Sequence, residues 1–179
     1  MITNNLKKIS AGLFCANVTK SAVYAFIPIT DISGATKYYS YYGDAFPGTL
    51  SQSFSTTANS AGIKVGSGTT PATANDYNLG SQITSGISGS ISRNRSVDSN
   101  GNPIASLLVT ITNTGSAPVT IGEIGYFAEV RVSATSDQTS GSTGYTMIDR
   151  TVLDNPITIP ASGAATITYA LSGIWNEGA

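Results

Sequence analysis

Glu123, Asp149 and Asp154 are the residues of this chain best suited by type to acid and base chemistry, and paired carboxylates could hydrolyse a polysaccharide. Their spacing argues against it. Asp149 and Arg150 are adjacent, so on a strand they point to opposite faces and cannot pair there. Asp154-Asn155-Pro156 reads as a turn that ends a strand. Glu123, between Gly122 and Ile124, reads as an exposed carboxylate entering a strand. The chain has no histidine, so none of its many serines has that base to activate it. Gly66-Ser67-Gly68-Thr69-Thr70 has the glycine content of a phosphate-binding loop, but no lysine follows the last glycine and no helical pattern opens after it. Asp98-Ser99-Asn100-Gly101-Asn102 places oxygen ligands at alternate positions, as a calcium loop does. Pro103 stands where that loop needs glycine, and Val109 where the bidentate glutamate belongs, so Asn100-Gly101 is assigned to a hairpin turn. The sequence therefore assigns no catalytic, cofactor-binding or metal-ligating residue, and the chain reads as a non-enzyme.

The elements that would position any such residue are strands. Ser106-Leu107-Leu108-Val109-Thr110-Ile111-Thr112 alternates apolar and polar side chains, breaks at Asn113-Thr114-Gly115-Ser116 and resumes at Val119-Thr120-Ile121. Strand residues face alternate ways, so this spacing builds a sheet with one dry face and one wet face. The pattern returns in Asn155 to Pro160, turns at Ala161-Ser162-Gly163 and continues through Ala165 to Leu171. Glu123 to Val132 places Ile124, Tyr126, Ala128, Val130 and Val132 on one face, and Thr146 to Leu153 forms a further strand. Gln82 to Ser92 pairs with the stretch beginning at Ile104. Ile63-Lys64-Val65 is a strand too short to stand alone. Val23 to Ile32 begins the extended region, and Pro28 restricts it to a sheet edge or a strand end. The rest of residues 47–82 and the polar stretch Ser133 to Gly144 read as loops. About eight or nine short strands separated by turns predict an all-β fold, an antiparallel β-sandwich of the immunoglobulin-like or jelly-roll-like kind.

A chain of 179 residues with 40% hydrophobic content supports one such core without disulfides, and its single cysteine, Cys15, has no internal partner. Only 11% of residues are charged, the net charge is −1, and the basic residues are scattered. No basic stripe is present to follow a phosphate backbone, which argues against nucleic acid as a partner. No stretch is long enough to span a bilayer as a helix. Residues 1–22 read as an N-terminal arm or short helix, with 23–179 as the sandwich domain. Leu6, Ile9 and Leu13 form one helical stripe, capped by Asn4 or Asn5. Lys7-Lys8 before the apolar run to Ala16 also resembles a short secretory signal, but the run is brief and the structural segment is the preferred reading.

Lys37 to Phe46 is dense in tyrosine. Tyr38, Tyr39, Tyr41 and Tyr42 fit a strand that covers the core edge, or a surface that stacks on sugars or grips a neighbour. Trp175 could seal one end of the core or anchor a neighbour. The candidate assembly contacts are Leu6, Ile9, Leu13, Tyr38, Tyr39, Tyr41, Tyr42 and Trp175.

Three blocks in order, Ile63 to Leu79, Val109 to Gly115 with Ile121 to Phe127, and Asp149 to Pro160, resemble small virion structural proteins of tailed bacteriophages. The resemblance covers roughly residues 60–172. It implies a non-enzymatic protein located in the virion, one that decorates the capsid or builds the neck, collar or tail. Its implied partners are copies of itself and other virion proteins, with no cofactor. The alternative is a secreted adhesion or carbohydrate-binding sandwich whose partners are host-surface glycans, since Asn-Thr-Gly-Ser between alternating strands also occurs in cell-surface modules.

Overall fold

A computed structural model describes residues 1–8, 27–39, 53–97, 103–133 and 142–170. Within them lie eight strands: β1 (Ile27–Thr30), β2 (Thr36–Tyr39), β3 (Gly62–Gly66), β4 (Ile87–Val97), β5 (Pro103–Asn113), β6 (Val119–Ser133), β7 (Ser142–Ile159) and β8 (Ala164–Ala170). All pairings between them are antiparallel. One sheet has three strands in the order β4-β5-β8. The other is organised around the long β6, which pairs with β7 along one side and with β3 and then β2 along the other, β1 lying outside β2.

The sandwich closes because the apolar positions of both sheets meet in one cluster. Ile63, Val65, Ile121, Ile124, Ala128 and Val130 of the larger sheet pack with Ile87, Leu107, Val109, Ile111, Ile167 and Tyr169 of the smaller. Each such aliphatic side chain contributes about 1.5–3 kcal/mol when fully buried. The all-β sandwich expected from the alternation is what forms, and residues 4–8 supply a short N-terminal helix. Pro28 stands in β1, which among the described residues pairs only with β2, at the sheet edge where a missing N–H does no harm. Two stretches read separately in the sequence, Thr146 to Leu153 and Asn155 to Pro160, run on as the single strand β7.

The larger sheet departs from the one-wet-face expectation. Lys64, Glu123, Phe127, Met147 and Arg150 are buried although they lie on the face away from the smaller sheet. The chain from Ser67 to Gln82 covers Glu123, Phe127, Met147 and Arg150, with Leu79 joining Phe127 and Met147 in a second apolar cluster flanked by Ile32, while Lys64 reaches the Ala58 carbonyl. The molecule thus has a third layer, made of loop. The candidate hairpin turn at Asn100-Gly101 lies outside the described residues, although Val97 and Pro103 pair on either side of it.

Candidate functional site

The polar centre lies beneath that loop layer. A register shift between β6 and β7 falls between Ile121 and Glu123. Such a bulge re-aims the side chains around it. Ile121 and Ile124 both enter the inter-sheet core, and the Glu123 carboxylate projects from the opposite face. Gly122 permits this, because a Cβ there would stand 2.7 Å from the Gly68 carbonyl.

Glu123 is completely buried, which corrects the expectation of an exposed carboxylate. Its Oε1 accepts the backbone N–H groups of Gly68 (3.1 Å) and Ser81 (2.8 Å), and its Oε2 accepts that of Gly80 (3.0 Å) and the Nε–H of Arg150 (2.8 Å). The glycine-rich loop therefore does cradle an anion, but the anion is the protein's own. A Cβ at Gly66 or Gly68 would fall inside van der Waals contact with Glu123. Hydrogen bonding and pairing of this completeness are what a buried charge requires.

Arg150 links the strand to the loop. Besides Glu123 it donates from Nη1 to Asp76 (2.7 Å) and from Nη2 to the Thr70 carbonyl (3.1 Å). Burial disfavours the charged guanidinium, yet bonds and charge from Asp76 and Glu123 outweigh it and raise its pKa. Burial likewise pushes Asp76 up, and the Thr73 N–H, the Arg150 bond, the Thr73 hydroxyl and the Arg150 charge together hold it below its ordinary range. Asp149 faces the other way, as the strand period requires. Its carboxylate accepts the Tyr169 hydroxyl from the opposite sheet and lies 3.3 Å from the Met1 ammonium. Burial, reinforced by the Asp149 charge, raises the Tyr169 phenol well above its ordinary value.

Lys64 is the fourth buried charge. Its ammonium donates to the Ala58 carbonyl and sits 4.2 Å from the centre of the Phe127 ring. Burial lowers its pKa to about 8. The Tyr126 hydroxyl, also buried, has no hydrogen-bond partner among the described residues.

Chemically, this centre clamps a loop to a sheet. Both buried carboxylates have their oxygens bonded to or paired with internal donors. Asp154 is exposed and lines a shallow cleft of about 550 Å³ with Thr69, Pro71, Val152, Leu153 and the flank of Arg150. Glu123, Asp149 and Asp154 are thus not brought together as a catalytic set. Among the described residues no group of three or more His, Cys, Asp or Glu could hold a metal ion.

The candidate assembly contacts are dispersed. Leu6 packs against the inter-sheet core of its own domain. Tyr38 and Tyr39 stand at the end of β2, opposite Ser133 and Val132, and Tyr38 is half-buried. Ile9, Leu13, Tyr41, Tyr42 and Trp175 lie outside the described residues. Sequence reading missed the roles of Asp76, Arg150 and Tyr169, since each partner lies 20 or more positions away. The signal that could have found Glu123 was the set of glycines at 66, 68 and 80, which read as an anion cradle with no external anion signature. No protein-family model, curated protein or solved structure matches this chain.

Proposed function

We propose that the chain is a non-enzymatic structural component of a bacteriophage virion. It assembles with copies of itself and other virion proteins through its β-sandwich and N-terminal arm, on the capsid surface, neck or tail. The observation that carries this reading is the internal commitment of the buried charges. Glu123, Arg150, Asp76 and Asp149 are used to fasten a long surface loop and the N-terminal residues onto a sheet, which makes a rigid, low-charge particle of a kind suited to repeated packing. The resemblance over residues 60–172 supplies the particle. The free edge of the smaller sheet supports the same reading. Among the described residues β4 pairs with β5 alone, and it presents Ser88, Ser90 and Ser92 to solvent, with no lysine or proline along it to discourage a neighbouring strand.

Density-gradient purification of phage particles followed by mass spectrometry tests the proposal. The chain is expected in the particle fraction at a fixed copy number. Its absence from particles, together with glycan-array binding by the purified protein, would replace this reading with the adhesion module.

A further inference from the structure

The first five residues are held as a bound peptide is held. Ile2 bridges antiparallel to Asp149 on the outer edge of β7, with the Thr3 N–H donating to the Ile148 carbonyl (3.0 Å) and the Arg150 N–H donating to the Met1 carbonyl (3.0 Å). Thr3, wholly buried, donates its hydroxyl to the Met147 carbonyl (2.7 Å). Asn5, almost as buried, closes a two-way amide pair with Thr30: its Nδ2 donates to the Thr30 carbonyl and its Oδ1 accepts the Thr30 N–H, both at 2.9 Å. The Asn4 N–H donates to the Ala74 carbonyl, and its side chain to that of Asn75. Met1 to Thr3 thus add to a sheet edge as a short strand does, and the first residues of the helix that follows, Asn4 and Asn5, are held through their side chains.

Two features make the groove an acceptor in its own right. Its walls are joined without the arm, since the Thr146 hydroxyl donates to the Thr30 carbonyl (2.9 Å) and the Ile32 N–H to the Tyr145 carbonyl (3.2 Å). The arm's bonds in turn go to residues distant in sequence, from Thr30 to Arg150. The 18 residues at 9–26 that join the arm to β1 allow a reach of up to about 60 Å at roughly 3.3 Å per residue, more than the radius of a domain of this size.

We infer that the groove between β1 and β7 is the docking site through which copies of this chain join, each accepting the Met1–Asn5 segment of a neighbour in place of its own. The partner is a second copy because the groove already fits this sequence at each of Thr3, Asn4 and Asn5. The inference deepens the assembly reading above and rests on it, but it stands or falls on contacts between copies, whereas the virion assignment depends on particle association.

The test uses the full chain with Cys15→Ser. One copy carries Asn4→Cys and the other Asn75→Cys, a pair that gives up one side-chain contact at the rim of the groove while the buried Thr3 and Asn5 keep theirs, with different C-terminal tags. The two are co-expressed and treated with a short bismaleimide. Linked heterodimer is expected at roughly tenfold the yield of a control pairing of Asn4→Cys with Thr166→Cys, as for a contact held at high effective concentration. A chain carrying both Asn4→Cys and Asn75→Cys reports the unexchanged arm by closing an internal link. Internal closure with heterodimer no greater than the control would overturn the inference, as would failure of both links.

Discussion

The two sheets of this sandwich share an inner face but treat their outer faces differently. The outer face of β4-β5-β8 is a plain surface. Ser88, Ser90, Thr110, Thr112, Thr166 and Thr168 alternate with the buried Ile87, Val109, Ile111 and Ile167, and neighbouring hydroxyls meet across strands, as Thr110 and Thr166 do at 3.0 Å. On the larger sheet the corresponding face carries Glu123, Phe127 and Arg150 under the loop from Ser67 to Gln82, and Lys64 under the segment of Ala58. Water satisfies the polar groups of the first surface, whereas the second must satisfy its own. The comparison teaches that buried charge in this protein marks where the chain folds back over itself: the open face carries hydroxyls, and the covered face is held by ions.

If so, disrupting the covered face should have the largest effect. Glu123→Ala leaves the Gly68, Gly80 and Ser81 N–H groups and the Arg150 guanidinium without their acceptor, and is expected to lower unfolding stability by about 3–5 kcal/mol. Urea denaturation at neutral pH measures it, and a loss under about 1 kcal/mol would mean that the loop layer is not anchored there.

Lys64 tests the same face through pH. Its folded pKa, about 8, lies below the ordinary 10.5, so above pH 8 the unfolded chain binds more protons than the folded one and stability rises with pH across that window. Tyr169 opposes this above pH 10, where its raised pKa keeps the folded protein protonated after the unfolded chain has lost its proton. A rise in melting temperature between pH 8 and 9.5 is therefore expected in the native chain and should vanish in Lys64→Met, which keeps the apolar bulk. Equal slopes for the two proteins would show that the buried ammonium is not the titrating group.

On the open face, Thr166→Val is expected to change stability by no more than about 0.5 kcal/mol, since the residue is exposed and its hydroxyl partner can turn to water. A loss several times larger would show that this surface is covered in solution, contrary to the contrast drawn here.

Period-two alternation identified the inward positions of β5 and β8 correctly because strand geometry is local: each residue's face follows from its neighbour's. The same rule set Glu123 on the face opposite Ile124, where the structure has it, but took that face for a wet one, because the donors that bury the carboxylate come from Gly68 to Ser81, far away in the sequence. Gly66-Ser67-Gly68 showed the glycine content of a phosphate loop and was set aside for want of a lysine and a helix; the anion it does hold, Glu123, lies 55 positions away from Gly68. The N-terminal segment was legible as an arm with a short helix; its seat on β7 was not, because backbone edges carry no sequence signature.

By itself, then, the amino-acid order determined the strand pattern, the inter-sheet core and the scarcity of reactive side chains, all of which depend on residue type and nearest neighbours. Tertiary structure alone decided that Glu123, Arg150 and Asp76 would meet, that Asp149 would receive Tyr169 from the opposite sheet, and that the first residues would complete a sheet edge. A buried charge is tolerable only where distant donors and acceptors converge on it, and the convergence is set by how the whole chain packs.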